Sequence, residues 1–293
     1  MRLNWKLGAP AALVSGAALL GVGLAPAAPR PAAPDLVELP PGGFAYRMSG
    51  EFTRAGQPVP APLVATAVAR PLAIMRHEVT AGEYQRCADA GACAPAAPSA
   101  PDRPVIEVSW RDATAYAAWL SHETGWHFRL PTDAEWAYAA AERFTDDALP
   151  QDGESADPGR RALLRYDRVA GDDRPTGAEP QPIGSFGANR NELLDMAGNV
   201  WEWTDTCYAR TSLDPSGDAG GQSEDCWIRT VEGRHRTYLS DFLRTARGGG
   251  CSVGIPVTNL GFRLVRDEAS STGLRRILRW ALLPDQASPT GRG

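Results

Sequence analysis

The chain is poor in lysine, histidine and sulfur. Lys6 is its only lysine, and every other residue among the 30 basic ones is arginine. No cluster of them inside the domain suggests a nucleic-acid groove. No Walker loop and no dinucleotide fingerprint is present. The G-x-S-x-G elbow of the hydrolases is missing too, since Gly184-Ser185-Phe186-Gly187 does not match it. Only four histidines occur, and His77, His122 and His127 show no ligand-like pairing. Beyond Leu24 there is no hydrophobic run of membrane-spanning length, and there is no internal repeat.

What is present points to one large, loop-rich domain. The 293 residues are 43% hydrophobic, enough for a sizeable core and against wholesale disorder. Gly (30) and Pro (25) are numerous, which favours short elements over a helical bundle. The net charge is −5. Arg2 and Lys6 precede an apolar, small-residue segment from Leu7 to Leu24, and Ala25-Pro26-Ala27 has the form of a signal-peptidase site. Residues 1–27 are therefore expected to be a signal peptide, and its removal takes the charge to about −7. An uncleaved anchor is the alternative, and both imply export. Residues 28–36 read as a linker, 37–267 as the domain and 268–293 as a polar tail. Within the tail, Leu274 to Leu283 is basic and amphipathic, either packing on its own domain or lying on a membrane surface.

Three capping boxes punctuate the domain. In each, a hydroxyl accepts from a free backbone N–H and an acid three residues later reaches back. They are Thr80-Ala81-Gly82-Glu83, Ser109-Trp110-Arg111-Asp112 and Thr132-Asp133-Ala134-Glu135. Ala113, Tyr116, Ala117 and Leu120 follow the second at helical spacing, and that helix is expected to stop near Gly125. Trp136, Ala139 and Ala140 line one face after the third. Val37 to Phe44 reads as a strand entering a tight turn, and residues 70–79 as a strand leading to a helix. Residues 145–182 and 211–225 read as irregular surface loops. Arg244 to Arg266 reads as short strands.

Export permits disulfides. Cys87 and Cys93 flank a helix end and a turn. Cys207 and Cys226 flank a Gly/Ser/Asp-rich excursion that a disulfide would staple. Spacing alone leaves connectivity open, and Cys251 is odd, either a buried inert thiol or a reactive one. His235, between Arg234 and Arg236, reads either as a surface residue or as a metal partner for Cys251. Asp195-Met196-Ala197-Gly198-Asn199-Val200-Trp201-Glu202-Trp203 looks too irregular for an ordinary strand or helix. Its carboxylate and backbone oxygens suit a hard cation such as Ca²⁺.

Five segments together resemble the formylglycine-generating enzyme (sulfatase-modifying factor) family. They are Met75 to Tyr84, Pro104 to Trp110 with Ala113 and Ala117, Phe128 to Trp136, Asp195 to Trp203, and Asn259-Leu260-Gly261-Phe262-Arg263. The resemblance implies an α+β fold with little regular structure, related to C-type lectins. It also implies structural calcium, held by the side chains of Asp195 and Glu202 and the carbonyls of Gly198 and Val200. A second calcium site is not recognisable around residues 164–180.

The family's oxidation of a client cysteine uses two cysteines holding Cu(I), for which soft thiolates are suited. Here Arg247-Gly248-Gly249-Gly250 leads into Cys251 and, after Thr258, directly into Asn259. That segment is short and holds one cysteine, so the two-cysteine copper site is not expected. The architecture looks most like accessory proteins associated with copper nitrite reductases. The expectation is a monomeric periplasmic accessory or maturation factor for a client protein. Residues 211–225 and the Arg-rich 229–247 are its candidate recognition surfaces. The alternatives are an oxidase with altered chemistry at Cys251, or a lectin-like binding module.

Overall fold

Helices begin where the caps place them. The computed structural model describes residues 33–145, 179–244 and 259–267. All three capping boxes form, with both reciprocal bonds present in each. They start α1 (Ala81–Asp89), α2 (Trp110–Thr124) and α3 (Asp133–Ala140). Gly125 ends α2 in the left-handed conformation, at φ 76°. A residue without a β-carbon takes that conformation at no steric cost.

Strands β1 (Leu36–Leu39), β2 (Gly42–Arg47), β3 (Glu51–Arg54), β4 (Gln57–Val59), β5 (Leu63–Val68) and β6 (Leu72–Met75) precede the helices. β7 (His127–Arg129) lies between α2 and α3. β8 (Trp201–Leu213), β9 (Ala219–Glu232), β10 (Thr237–Ser240), β11 (Leu260–Gly261) and β12 (Val265–Asp267) follow. The fold is mixed α+β. One sheet runs β1-β6-β12-β7, so the last described strand is an interior one. A second runs β10-β9-β8-β3-β4, with β11 added parallel to β8, and β2 pairs with β5.

Two apolar clusters carry the packing. In one, Tyr84 stacks on Tyr116 at 5.7 Å between ring centroids, and Phe262 meets Tyr116 edge-on at 5.5 Å, both favourable aromatic geometries. The other joins Ile74, Trp136, Leu193, Met196 and Val265. Trp136, Ala139 and Ala140 are all fully buried, as the expected face requires.

Three expectations need correction. Residues 211–225 are not an irregular loop but the outer half of the β8–β9 hairpin, turning at Asp214–Asp218. The main-chain ladder holds this segment, with Thr211 and Leu213 buried on the β8 side. The 195–203 run is not irregular throughout, because its last three residues begin β8. His235 is not a solvated surface residue. It is half-buried, with its ring edge-on to Trp201 at 4.4 Å between centroids. The expected signal segment, most of 145–182, Cys251 and the basic tail lie outside the described residues. Among the described residues no helix is long and apolar enough to cross a membrane.

Candidate functional site

The stretch from Leu193 to Trp203 is clamped into the core by Leu193, Met196, Val200 and Trp203, all buried. Asp195, Ala197 and Asn199 hold positive φ of 60°, 57° and 52°. Each costs a non-glycine residue on the order of 1–2 kcal/mol, so the surroundings must enforce the shape. Gly198 sits between them. A β-carbon there would come within 2.9 Å of the Phe186 ring.

The carboxylates of this run point inward. Asp195 accepts backbone N–H bonds from Gly184 at 2.5 Å and Phe186 at 2.7 Å. Glu202 accepts two bonds from Arg263, Nε to Oε2 at 2.7 Å and Nη2 to Oε1 at 2.8 Å. Trp136 Nε1 donates to the same Oε2 at 3.0 Å. Arg263 is fully buried, and also donates to the carbonyls of Met75, Arg76 and Leu194. It thus ties β6, the 195–203 run and its own segment together. Glu78, from the Met75–Tyr84 motif, lies 3.8 Å from Arg263 Nη2, and neither of its buried oxygens has a hydrogen-bond partner. Burial, helped by Glu202 and Asp195, lifts its pKa well above the carboxylate range against the pull of Arg263. Burial thus favours the protonated form of Glu78, and Arg263 at 3.8 Å opposes it.

A second buried arginine adjoins the first. Glu202 faces Glu232 across the β8–β9 ladder. Arg236 bonds Glu232 at 2.9 Å and Asp133 at 2.8 Å, and Tyr46 donates to that same Asp133. Burial first, and then Asp133, push Glu232 well above its ordinary pKa, against Arg236. Two guanidiniums thus face five buried carboxyl groups, and burial shifts two of them, Glu78 and Glu232, toward their protonated forms. Sequence reading missed this belt. Arg236 sits in an Arg-His-Arg string that reads as surface, and only its tertiary partners make burial tolerable.

The donor chemistry fits a hard divalent cation. Every carboxylate oxygen has two lone pairs, so these bonds leave about one free on Glu202 and two on Asp195. Among the described residues no three acidic, histidine or cysteine side chains converge to hold one ion. A hard cation bound at Asp195 or Glu202 would have to take the rest of its six to eight oxygens or so from backbone carbonyls and water.

Sulfur chemistry is constrained by pairing. Cys87 joins Cys93, and Cys207 joins Cys226. Cys251 is the remaining cysteine. Asn259, just beyond its segment, accepts from the Trp201 N–H at 2.7 Å. Trp201 covers Gly233, where any β-carbon would collide with the indole. His235 Nδ1 lies 3.0 Å from the Arg236 carbonyl, a position that calls for the proton on Nδ1 and leaves Nε2 as the basic nitrogen.

Comparison with known proteins agrees with the motifs. Residues 22–268 match the sulfatase-modifying factor enzyme 1-like domain. The chain is 33% identical over 182 residues to the formylglycine-generating enzyme of Mycobacterium tuberculosis, covering 57% of this chain and 58% of that protein. It is 34% identical over 174 residues to the inactive C-alpha-formylglycine-generating enzyme 2 of Mus musculus, covering 58% and 50%. The chain thus spans about half the length of these curated relatives. Among solved structures, PvdO from Pseudomonas aeruginosa superimposes with a TM-score of 0.51 at 24% identity, over 80% of this chain and 95% of that one. With its ordered motifs and matching fold, the chain belongs to the sulfatase-modifying factor enzyme 1-like domain family.

Proposed function

We propose that this chain is an exported accessory domain that acts on a client protein, held in shape by calcium, and not a two-thiolate copper oxidase. One observation carries the reading: four of the five cysteines are joined in two disulfides, leaving Cys251 without a second thiolate. A family that includes a relative named as inactive has room for such a member. Calcium, held by Asp195, Glu202 and the carbonyls of Gly198 and Val200, would supply positive charge to a carboxylate-rich core. Its role here is structural.

The test is direct. The purified chain, supplied with copper and oxygen, is incubated with a cysteine peptide from a sulfatase, and aldehyde is trapped with a hydrazide. No aldehyde is expected. Aldehyde formation at catalytic yield would overturn the accessory reading. A copper nitrite reductase from the same host, used as bait in a periplasmic extract, is expected to retain the chain.

A second reading keeps Cys251 as a nucleophile or metal ligand. It rests on Cys251 being the one cysteine outside the two disulfides. Cys251→Ser without loss of function in the host would remove that reading.

A further inference from the structure

The two disulfides differ in their surroundings. Cys87 and Cys93 are buried, at 0% and 8% exposure. Cys226 is exposed and Cys207 half-buried. The ladder explains the exposure. Cys207 pairs with Arg229 while the next residue, Tyr208, pairs with Asp225. Cys226, Trp227 and Ile228 are therefore extra residues bulged away from β8, and Trp227 is 67% exposed.

A guanidinium lies against only one of the two sulfurs. Arg229 Nη1 donates to Cys207 Sγ at 3.3 Å. The same nitrogen reaches the Asp205 carbonyl at 2.8 Å and its carboxylate at 3.3 Å. The guanidinium stacks on Trp110 at 4.0 Å from the ring centroid, which fixes its plane. Its side chain is 11% exposed, and its Nε–H is buried without an acceptor. The nitrogen that reaches Cys207 Sγ is thus held in place from both sides, by the Asp205 oxygens and by the Trp110 ring. A thiolate is a far better acceptor than a disulfide sulfur, so this environment favours the state in which Cys207 carries the charge.

We propose that Cys207–Cys226 is a thiol–disulfide exchange site, attacked at Cys226, with Cys207 as the leaving sulfur under Arg229. An incoming thiolate forms a bond to Cys226 Sγ. The Cys226–Cys207 bond breaks, and its electron pair stays on Cys207 Sγ, next to the guanidinium. The product is a mixed disulfide on Cys226 and a thiolate on Cys207. Return attack by Cys207 regenerates the starting disulfide. Sulfur oxidation is conserved, so no further oxidant is required. The attacking group is a thiolate, from a client cysteine or from a small thiol. The proposal stands apart from the accessory reading, since exchange is measured on the purified chain alone.

The experiment uses the full oxidised chain with Cys251 blocked by alkylation. It is equilibrated in glutathione buffers of increasing reducing power, and each cysteine is quantified by differential alkylation and mass spectrometry. Cys207–Cys226 is expected to open at a ratio about tenfold less reducing than Cys87–Cys93, with the glutathione adduct on Cys226. Simultaneous opening, earlier opening of Cys87–Cys93, or an adduct on Cys207 overturns the proposal. This comparison needs no variant. Arg229→Met is expected to slow exchange about tenfold, and Arg229→Lys to restore part of the rate. An unchanged rate in a folded Arg229→Met protein also overturns it. A cysteine peptide run beside glutathione identifies the source, since faster exchange with the peptide assigns the site to protein clients and equal rates assign it to thiols in general.

Discussion

Glu78→Gln is the sharpest probe of the buried charge belt. The substitution keeps the shape of a protonated glutamate and removes the possibility of ionisation. In the wild type, the folded-state pKa of Glu78 lies well above its unfolded value because the group is buried beside Glu202 and Asp195. A carboxyl raised in this way contributes stability that is fully present below the unfolded pKa. That contribution is lost as pH rises through the folded value. Between those limits the folded state binds one more proton than the unfolded state, and stability falls by about 1.4 kcal/mol per pH unit for each such group. Glu232 is raised by the same cause, so the wild type carries two such slopes where their windows overlap. The assay is urea unfolding from pH 4 to pH 9 with a chelator present, so that no bound cation alters the charge. Glu78→Gln is expected to match the wild type at the acid end and to exceed it increasingly as pH rises. Its slope should be shallower by about 1.4 kcal/mol per pH unit. A variant that is less stable at neutral pH with an unchanged slope would refute the reasoning, because Glu78 would then be ionised and bonded in the native protein.

Other outcomes follow from the same geometry. Arg263→Met leaves Glu202 buried without its cation and should cost about 3–5 kcal/mol, read as a shift in the urea midpoint. Calcium removal by chelation should lower the melting temperature of the wild type. The Asp195→Asn, Glu202→Gln double variant should show no such chelator effect in the same calorimetric scan. Gly125→Ala meets open space but must hold φ 76°, so a loss of about 1 kcal/mol in thermal unfolding is expected, with α2 otherwise intact.

Local features were legible in the sequence, and partnered ones were not. The capping boxes at Thr80, Ser109 and Thr132 are complete within four residues, so their chemistry does not depend on the rest of the fold. Both disulfide pairs were legible as candidates, Cys87 and Cys93 across a helix end and turn and Cys207 and Cys226 across a Gly/Ser/Asp-rich excursion, though spacing left their connectivity open. The outer β8–β9 hairpin was hidden because its strands carry Gly, Ser, Gln and Glu, with no apolar alternation to mark them. Its turn residues, Asp214 to Asp218, were the one available signal. Arg236, Glu232 and Glu78 look like ordinary surface charges in the chain. What buries them is a set of contacts spanning up to 188 residues, such as Arg263 with the Met75 carbonyl. The family motifs singled out Asp195 and Glu202, and both are buried. They gave no sign that Arg263 already engages Glu202.

The interior place of β12 bears on how the molecule is made. Val265–Asp267 lies between β6 and β7, so nearly the whole domain must emerge from the ribosome before that sheet can close. Arg263, two residues earlier, brings the charge that neutralises Glu202 at the same late moment. Until then a growing chain exposes the edges of β6 and β7 and has an uncompensated acid at its centre. A chain cut anywhere before Arg263 therefore lacks both the interior strand and the partner of Glu202, and should remain a substrate for chaperones and proteases.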